Sequence, residues 1–421
     1  MKKNILFSFI FVIAFVAQAQ QKSYNSTQIT IPQLKKHITY LASDELEGRL
    51  TGTKGEQKAA KYISKQFKKY GVIAKGTQGY LQPFSVRKNL MNPHGSDSDA
   101  KAITITGHNV VGYIDNDAKT TVVIGAHYDH LGYDEYKHST YRPSNEKEKP
   151  QIHNGADDNA SGTAALIELA GLLKQSTLTK HNYLFLAFSG EEEGLLGSNY
   201  FTKHSTIDTA SFVCMINMDM VGRLDTAKQS FAISGTGTSP YWENALKQIK
   251  SPHKIKTETG GTGASDHTSF YYINIPALHF FTGTHYDYHK PTDDEEKINY
   301  QGIADVMDCI MQLLAGVNEQ GRLPFTPTAQ DTGTKVSFKV TLGIMPDYLY
   351  DGKGVKVDGC TPGKPAANAG IQKGDIILKL GTFETANMQT YMKSLQQFKK
   401  GDETEAIIQR GNENITLKIK F

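Results

Sequence analysis

TTVVIGAHYDH, residues 120–130, is a run of β-branched and small apolar residues that stops at a histidine. Two further stretches read alike. NYLFLAFSG (182–190) runs into Glu191-Glu192-Glu193, and SFVCMINMDMVG (211–222) carries Asp219 within it. Strands this uniformly apolar are buried on both faces, the pattern of a parallel sheet covered by helices. Helical patterns alternate with them: TAALIELAGLLK (163–174) follows GADDNASG (155–162), and EEEGLLGSNYF (191–201) reads as a loop opening a helix. Upstream, IPQLKKHITYLAS (31–43) and GEQKAAKYISKQFKKYG (55–71) place apolar residues at three- and four-residue spacing, with Gly71 closing the second. The expected fold class is α/β, a mostly parallel central sheet flanked by helices.

The whole chain has 421 residues, 38% of them hydrophobic, which is enough for two cores rather than one. A formal charge of +3 leaves no basic footprint for nucleic acid. At the N-terminus Lys2 and Lys3 precede an apolar run from Ile5 to Val16, followed by Ala17-Gln18-Ala19. That is the pattern of a cleaved signal peptide over residues 1–19, too short to span a bilayer. The mature chain is expected in the periplasm or outside the cell, with no membrane anchor left. Three cysteines cannot build a disulfide framework, and Cys214 reads as a buried free thiol. A Pro/Thr/Gly-containing stretch near 318–334 reads as a tether. The expected organisation is a catalytic domain over 28–316, a linker over 317–332 and a small β-rich domain over 333–421.

Polar residues collect where the predicted strands end, which is where open α/β sheets place ligands. They are His127, the Asp157-Asp158 pair, the Glu191–Glu193 run, Asp219 and His289. Each alone has an ordinary explanation: a structural histidine, an N-cap, or the acidic first turn of a helix. Asp219 is harder to explain that way. It lies between Met218 and Met220, where an unpaired carboxylate costs several kcal/mol. Two histidines and several carboxylates, without thiolates, suit Zn²⁺ in a water-accessible catalytic site. A two-metal hydrolase needs a bridging carboxylate and a separate base, and this inventory contains both.

In order, GAHYDH, GADDNASG, SGEEEGLLGS, NMDMVG, SDHTSF and HYDYHKPTD resemble the di-zinc aminopeptidases of metallopeptidase family twenty-eight. LASDELEGRLTGTKGEQKAAKYI (41–63) resembles the opening of that family's catalytic domain. The resemblance implies two zinc ions per chain and peptide substrates with a free N-terminus. It puts His127 and Asp219 on one zinc, Glu192 and His289 on the other, and Asp158 between them. It makes Glu191 the general base and Tyr288 an oxyanion-stabilising hydroxyl. Asp129 would orient His127, and His267 would be structural support or a substrate contact. His130, His285 and Asp293 read as scaffold, and Glu193 has no implied role. A carboxypeptidase uses the same metal core, and a single-zinc glutaminyl cyclase shares the fold and much of the motif order. A non-catalytic protein whose C-terminal domain carries the function is the reading from a different class. That C-terminal segment resembles a PDZ domain through PAANAGIQKGDIILKLG (365–381). VTLGIMPDY (340–348) is placed like its carboxylate-binding loop, which implies capture of a peptide C-terminus or a protein partner. The Gly-Ile-Met in it departs from the commonest form of that loop.

Overall fold

The computed structural model describes residues 31–90, 101–141, 143, 145, 148–328, 340–347, 350, 352–360, 363–386 and 388–421. The signal-peptide pattern lies outside these residues. Nine strands form one large sheet: β1 (Ile73–Ala74), β2 (Leu81–Leu90), β3 (Lys101–Ile114), β4 (Thr121–His127), β5 (Asn182–Phe188), β6 (Phe212–Met218), β7 (Ser230–Ser234), β8 (Lys254–Thr257) and β9 (Ala277–Phe281). Their order is β1-β3-β5-β4-β6-β9-β7-β8, with β2 paired to β3. The central four, β5, β4, β6 and β9, are mutually parallel. On one side β3 joins β5 antiparallel, and on the other β7 joins β9 antiparallel. The parallel expectation therefore describes the middle of the sheet, and the sheet as a whole is mixed. Hairpins such as β2–β3 need no crossover helix, so they extend an edge cheaply.

Burial on both faces is visible strand by strand. On β5, Tyr183, Phe185 and Ala187 enter one core, while Leu184, Leu186 and Phe188 enter the other. The larger core takes residues of α1 (Ile31–Leu41), α2 (Lys54–Lys69) and α3 (Gly162–Lys174). Further along the chain, α4 (Leu196–Lys203) and α6 (His267–Tyr271) cover the opposite face through Phe201 and Phe270. Between them in sequence, α5 (Tyr241–Lys247) adds Trp242 to the larger core, as α7 (Tyr300–Asn318) does with its own apolar face. Thr53 caps α2 by accepting the Glu56 amide at 3.3 Å. None of these helices is long and apolar enough to cross a membrane.

The stretch read as a tether begins inside α7. Its residues up to Thr328 lie on the large body: Leu323 is buried, and the Thr326 amide donates to the Thr238 carbonyl at 2.8 Å. From residue 340 a second, all-antiparallel sheet forms. Its strands are β10 (Ile344–Pro346), β11 (Val355–Cys360), β12 (Ile376–Leu380), β13 (Phe383–Glu384), β14 (Glu403–Arg410) and β15 (Glu413–Lys420). With α8 (Pro365–Asn368) and α9 (Met388–Leu395) it encloses its own core around Val357, Ile377 and Ile408. The Gly343 amide, in the loop expected from sequence to bind a carboxylate, donates to the Thr341 hydroxyl at 3.0 Å. End strand β10 faces the large body, where the Thr284 hydroxyl donates to the Pro346 carbonyl at 3.0 Å.

Candidate metal centre

Strand order reverses at β4: β5 lies on one side of it and β6 on the other, which makes the C-terminal end of β4 the natural crevice. His127 ends β4, Asp219 follows β6 by one residue, and Glu191 and Glu192 follow β5. Asp158 sits in an irregular turn (Ala156–Ser161) that leads into α3, held there by Asp293. The Asp293 carboxylate accepts the amides of Asp157 and Asp158 at 3.0 and 3.1 Å.

These side chains converge. His127 Nε2 lies 3.3 Å from Asp158 Oδ1 and 3.2 Å from Asp219 Oδ1. His289 Nε2 lies 3.3 Å from Asp158 Oδ2 and 3.1 Å from Glu192 Oε2. Donors about 2.0 Å from a tetrahedral cation are about 3.3 Å from one another. The two sets therefore have the spacing of two half-sites, and Asp158 gives one oxygen to each. The ring tautomers fit as well. His127 Nδ1 donates to the Asp129 carbonyl at 3.3 Å, and His289 Nδ1 donates to the His138 carbonyl at 3.1 Å. A carbonyl can only accept, so in each ring Nε2 is left to face the carboxylates.

The electrostatics follow from burial. Burial and the neighbouring carboxylates Asp219 and Glu192 push the Glu191 carboxyl well above the usual range, against the pull of His127. Burial would also raise Asp158, but hydrogen bonds from His127 and His289 hold it well below that range. Glu192 feels burial and Asp158 pushing it up, yet His289 and His130 bring it down to about 2. Burial lowers His127, but Asp219 and Glu191 outweigh it and leave the ring well above its ordinary value. A divalent cation would complement the charge of such a cluster, and the groups His127, Asp158, Asp219 and His130, Asp158, Glu192 each have donor atoms close enough together to hold one.

The other expected residues fall as follows. Asp129 Oδ1 lies 3.7 Å from His127 Nδ1 and accepts the Glu191 amide at 3.2 Å, so it touches both ligand and candidate base. Tyr288 lines the same cavity of about 250 Å³, its ring stacked on His289 at 3.9 Å between centroids. His267 is buried, stacks on His279 at 4.7 Å, and has both ring nitrogens without a hydrogen-bond partner. Glu193 is buried, with His138 at 3.7 Å.

Sequence alone gives His130 and Arg49 no role at the site, and the polar segment after His130 reads equally as a cap over it or as surface decoration. His130, read as scaffold, places Nδ1 2.7 Å from Glu192 Oε1 and 3.9 Å from Asp158 Oδ2, so it belongs to the second half-site's surroundings. In the polar segment after His130, Thr140 backs two cavity residues: its amide donates to the His289 carbonyl at 3.0 Å and its hydroxyl to the Tyr288 carbonyl at 2.7 Å. Arg49, fully buried, donates to the carbonyls of Leu41, Tyr128, Asn154 and Gly155, and so ties the turn after His127 to the turn before Asp158.

Residues 109–314 match the model of Peptidase family M28. The chain carries a Peptidase family M28 domain. Residues 333–421 match a PDZ domain. Among relatives, Aminopeptidase YwaD of Bacillus subtilis is 30% identical over 165 residues, 37% of this chain and 36% of its own length. Three curated relatives are matched over 66%, 46% and 36% of their lengths, so the chain spans only part of each. Among solved structures, the aminopeptidase of Aneurinibacillus sp. strain AM-1 superposes with a TM-score of 0.52 at 18% identity. That alignment covers 72% of this chain and 96% of the other. A glutaminyl cyclase of Porphyromonas gingivalis also superposes at 0.52, with 15% identity, over 68% of this chain and 97% of its own. The fold of the M28 domain is thus one on which both peptidases and cyclases are built.

Proposed function

We propose that this chain is an exported zinc-dependent aminopeptidase that removes N-terminal residues from peptides. The observation that carries the reading is the pair of half-sites sharing Asp158, each with donor separations of 3.1–3.3 Å. In this reading His127 and Asp219 would hold one zinc, His289 and Glu192 the other, and Asp158 would be shared between them. Bound zinc supplies Lewis-acid polarisation of the scissile carbonyl and makes a water acidic enough to ionise near neutral pH. Glu191, half-buried beside the half-sites, would take the proton of the attacking water and pass it to the leaving amine. Tyr288 donates its hydroxyl to the oxygen on which negative charge develops. Asp129 holds the Glu191 amide and the His127 ring in register. The N-terminal charge-apolar-small pattern supports export.

A glutaminyl cyclase on the same fold is the second reading, and the duplicated half-sites favour the peptidase over it. Mass spectrometry of a peptide pool with free and acetyl-blocked N-termini, some beginning with Gln, separates them. Stepwise trimming of free peptides only is expected. Loss of about 17 Da from the Gln peptides without trimming would establish the cyclase, whose chemistry needs no attacking water. Glu191→Gln is expected to abolish trimming while zinc stays bound. Unchanged peptides with zinc-loaded parent protein would return the chain to the class of binding proteins.

A further inference from the structure

The sheet that supplies Asp219 also supplies a floor leading away from it. In register, Asn217 pairs with His279 and Met218 with Phe280, across β6 and β9. His279 then pairs with Ser234 and Phe281 with Ala232, across β9 and β7. Ile233 pairs with Thr257, which carries Ser234 opposite Glu258 at the end of β8. Directly paired residues share a sheet face. Asp219, Phe281, His279, Ala232, Ser234 and Glu258 therefore lie on one face, and all six line the cavity that holds the candidate metal centre.

Glu258 is the one carboxylate lining that cavity outside the metal set and its base. The Ser234 hydroxyl donates to its Oε2 at 3.1 Å, which turns the carboxylate back along the floor. Its backbone is fixed by the Ile233 carbonyl and by Thr236. Among the described residues no cation pairs with it. Lys256, two residues earlier and on the same face, forms no ion pair with it. From β6 to β8 are three strand spacings, about 14 Å in all. Asp219 and Glu258 reach inward from the two ends, and a long side chain rooted beside the metals closes the remaining gap.

We propose that Glu258 is the specificity-determining residue for an N-terminal Lys or Arg, whose aliphatic stem lies over Ala232 and Phe281 and whose charge meets the carboxylate. This rests on the aminopeptidase reading and names its substrate class. The stem gains apolar contact and the head gains a charge-assisted hydrogen bond at the exposed end of the floor.

The test compares kcat/KM for Lys- and norleucine-anilides, which share a stem and differ in charge, on the zinc-loaded full chain. The expected Lys-to-norleucine ratio is about two to five in the parent, the worth of an exposed charge pair. Glu258→Gln is expected to bring the ratio near one, Glu258→Lys to bring it below one, and added salt to compress it in the parent. A parent ratio at or below one, or a ratio unchanged in Glu258→Gln, overturns the proposal. Hydrolysis of neither substrate overturns the aminopeptidase reading, and this inference with it.

Discussion

Replacing Arg49 by Met removes a fork of donors from the centre of the M28 domain. The guanidinium is fully buried and serves four backbone carbonyls, with Nε donating to Tyr128 at 2.7 Å and Nη2 to Gly155 at 3.0 Å. Burial pulls its pKa down to about 10, and Asp129 and Asp158 oppose that pull. Methionine matches the stem but leaves the Leu41, Tyr128 and Asn154 carbonyls without this donor, while Gly155 keeps the Ala160 amide at 3.2 Å. Each buried orphan costs about 1–3 kcal/mol, so the Leu41 and Tyr128 carbonyls together cost about 2–6 kcal/mol, with half-buried Asn154 adding to it. That is a large share of the whole stability of a domain, about 5–15 kcal/mol. Trp242 is the only tryptophan and lies in the larger core, so its fluorescence in urea reports this body alone. Measured with chelator present, the Arg49→Met midpoint should fall steeply, without the metal contributing. Arg49→Lys should recover less than half, because an ammonium cannot fill a planar fork. A Met variant within 1 kcal/mol of the parent would refute the reasoning.

Three further outcomes are expected. His130→Asn should weaken the second zinc by about 10- to 100-fold, as loss of a ligand's hydrogen-bond partner generally does, and leave the first in place; chelator competition reads both steps. Gly155→Ala should weaken both sites together, because its Cβ would stand 2.1 Å from the Asp158 carbonyl and 2.5 Å from the His130 ring, at a backbone φ of +55°; equal affinities in parent and variant would count against the shared role of Asp158. Burial, aided by His130, lowers His153 to about 4. The unfolded chain therefore binds more protons than the folded one between about pH 6.5 and 4, so this contribution is complete above that window and lost as pH falls through it. His153→Gln should flatten the acid side of a stability-versus-pH curve, and an unchanged slope would contradict the assignment.

Much of this was legible beforehand. The central strands announce themselves because burial on both faces demands unbroken apolar runs, as in VVIGA and YLFLAF. The edges do not, since β2–β3 mixes polar and apolar residues. Residue type at strand ends identified His127, Glu191, Glu192 and Asp219 as a candidate site, and Asp158 by its place before α3. His130 was passed over because a second histidine in HYDH looks like a duplicate of the first. The polar segment after His130 stayed open between a cap over the site and surface decoration, because the partners of Thr140 are the backbone carbonyls of Tyr288 and His289, which composition cannot express. Arg49 left one clue, a lone arginine inside LEGRL, but nothing in the sequence says that four carbonyls surround it.

Because Ser139 and Thr140 grip the carbonyls of Tyr288 and His289, the rim of the cavity cannot lift without carrying a ligand along. Residues 139–140 and the candidate ligand His289 therefore move as one unit, so a disturbance of that segment is carried straight into the metal set.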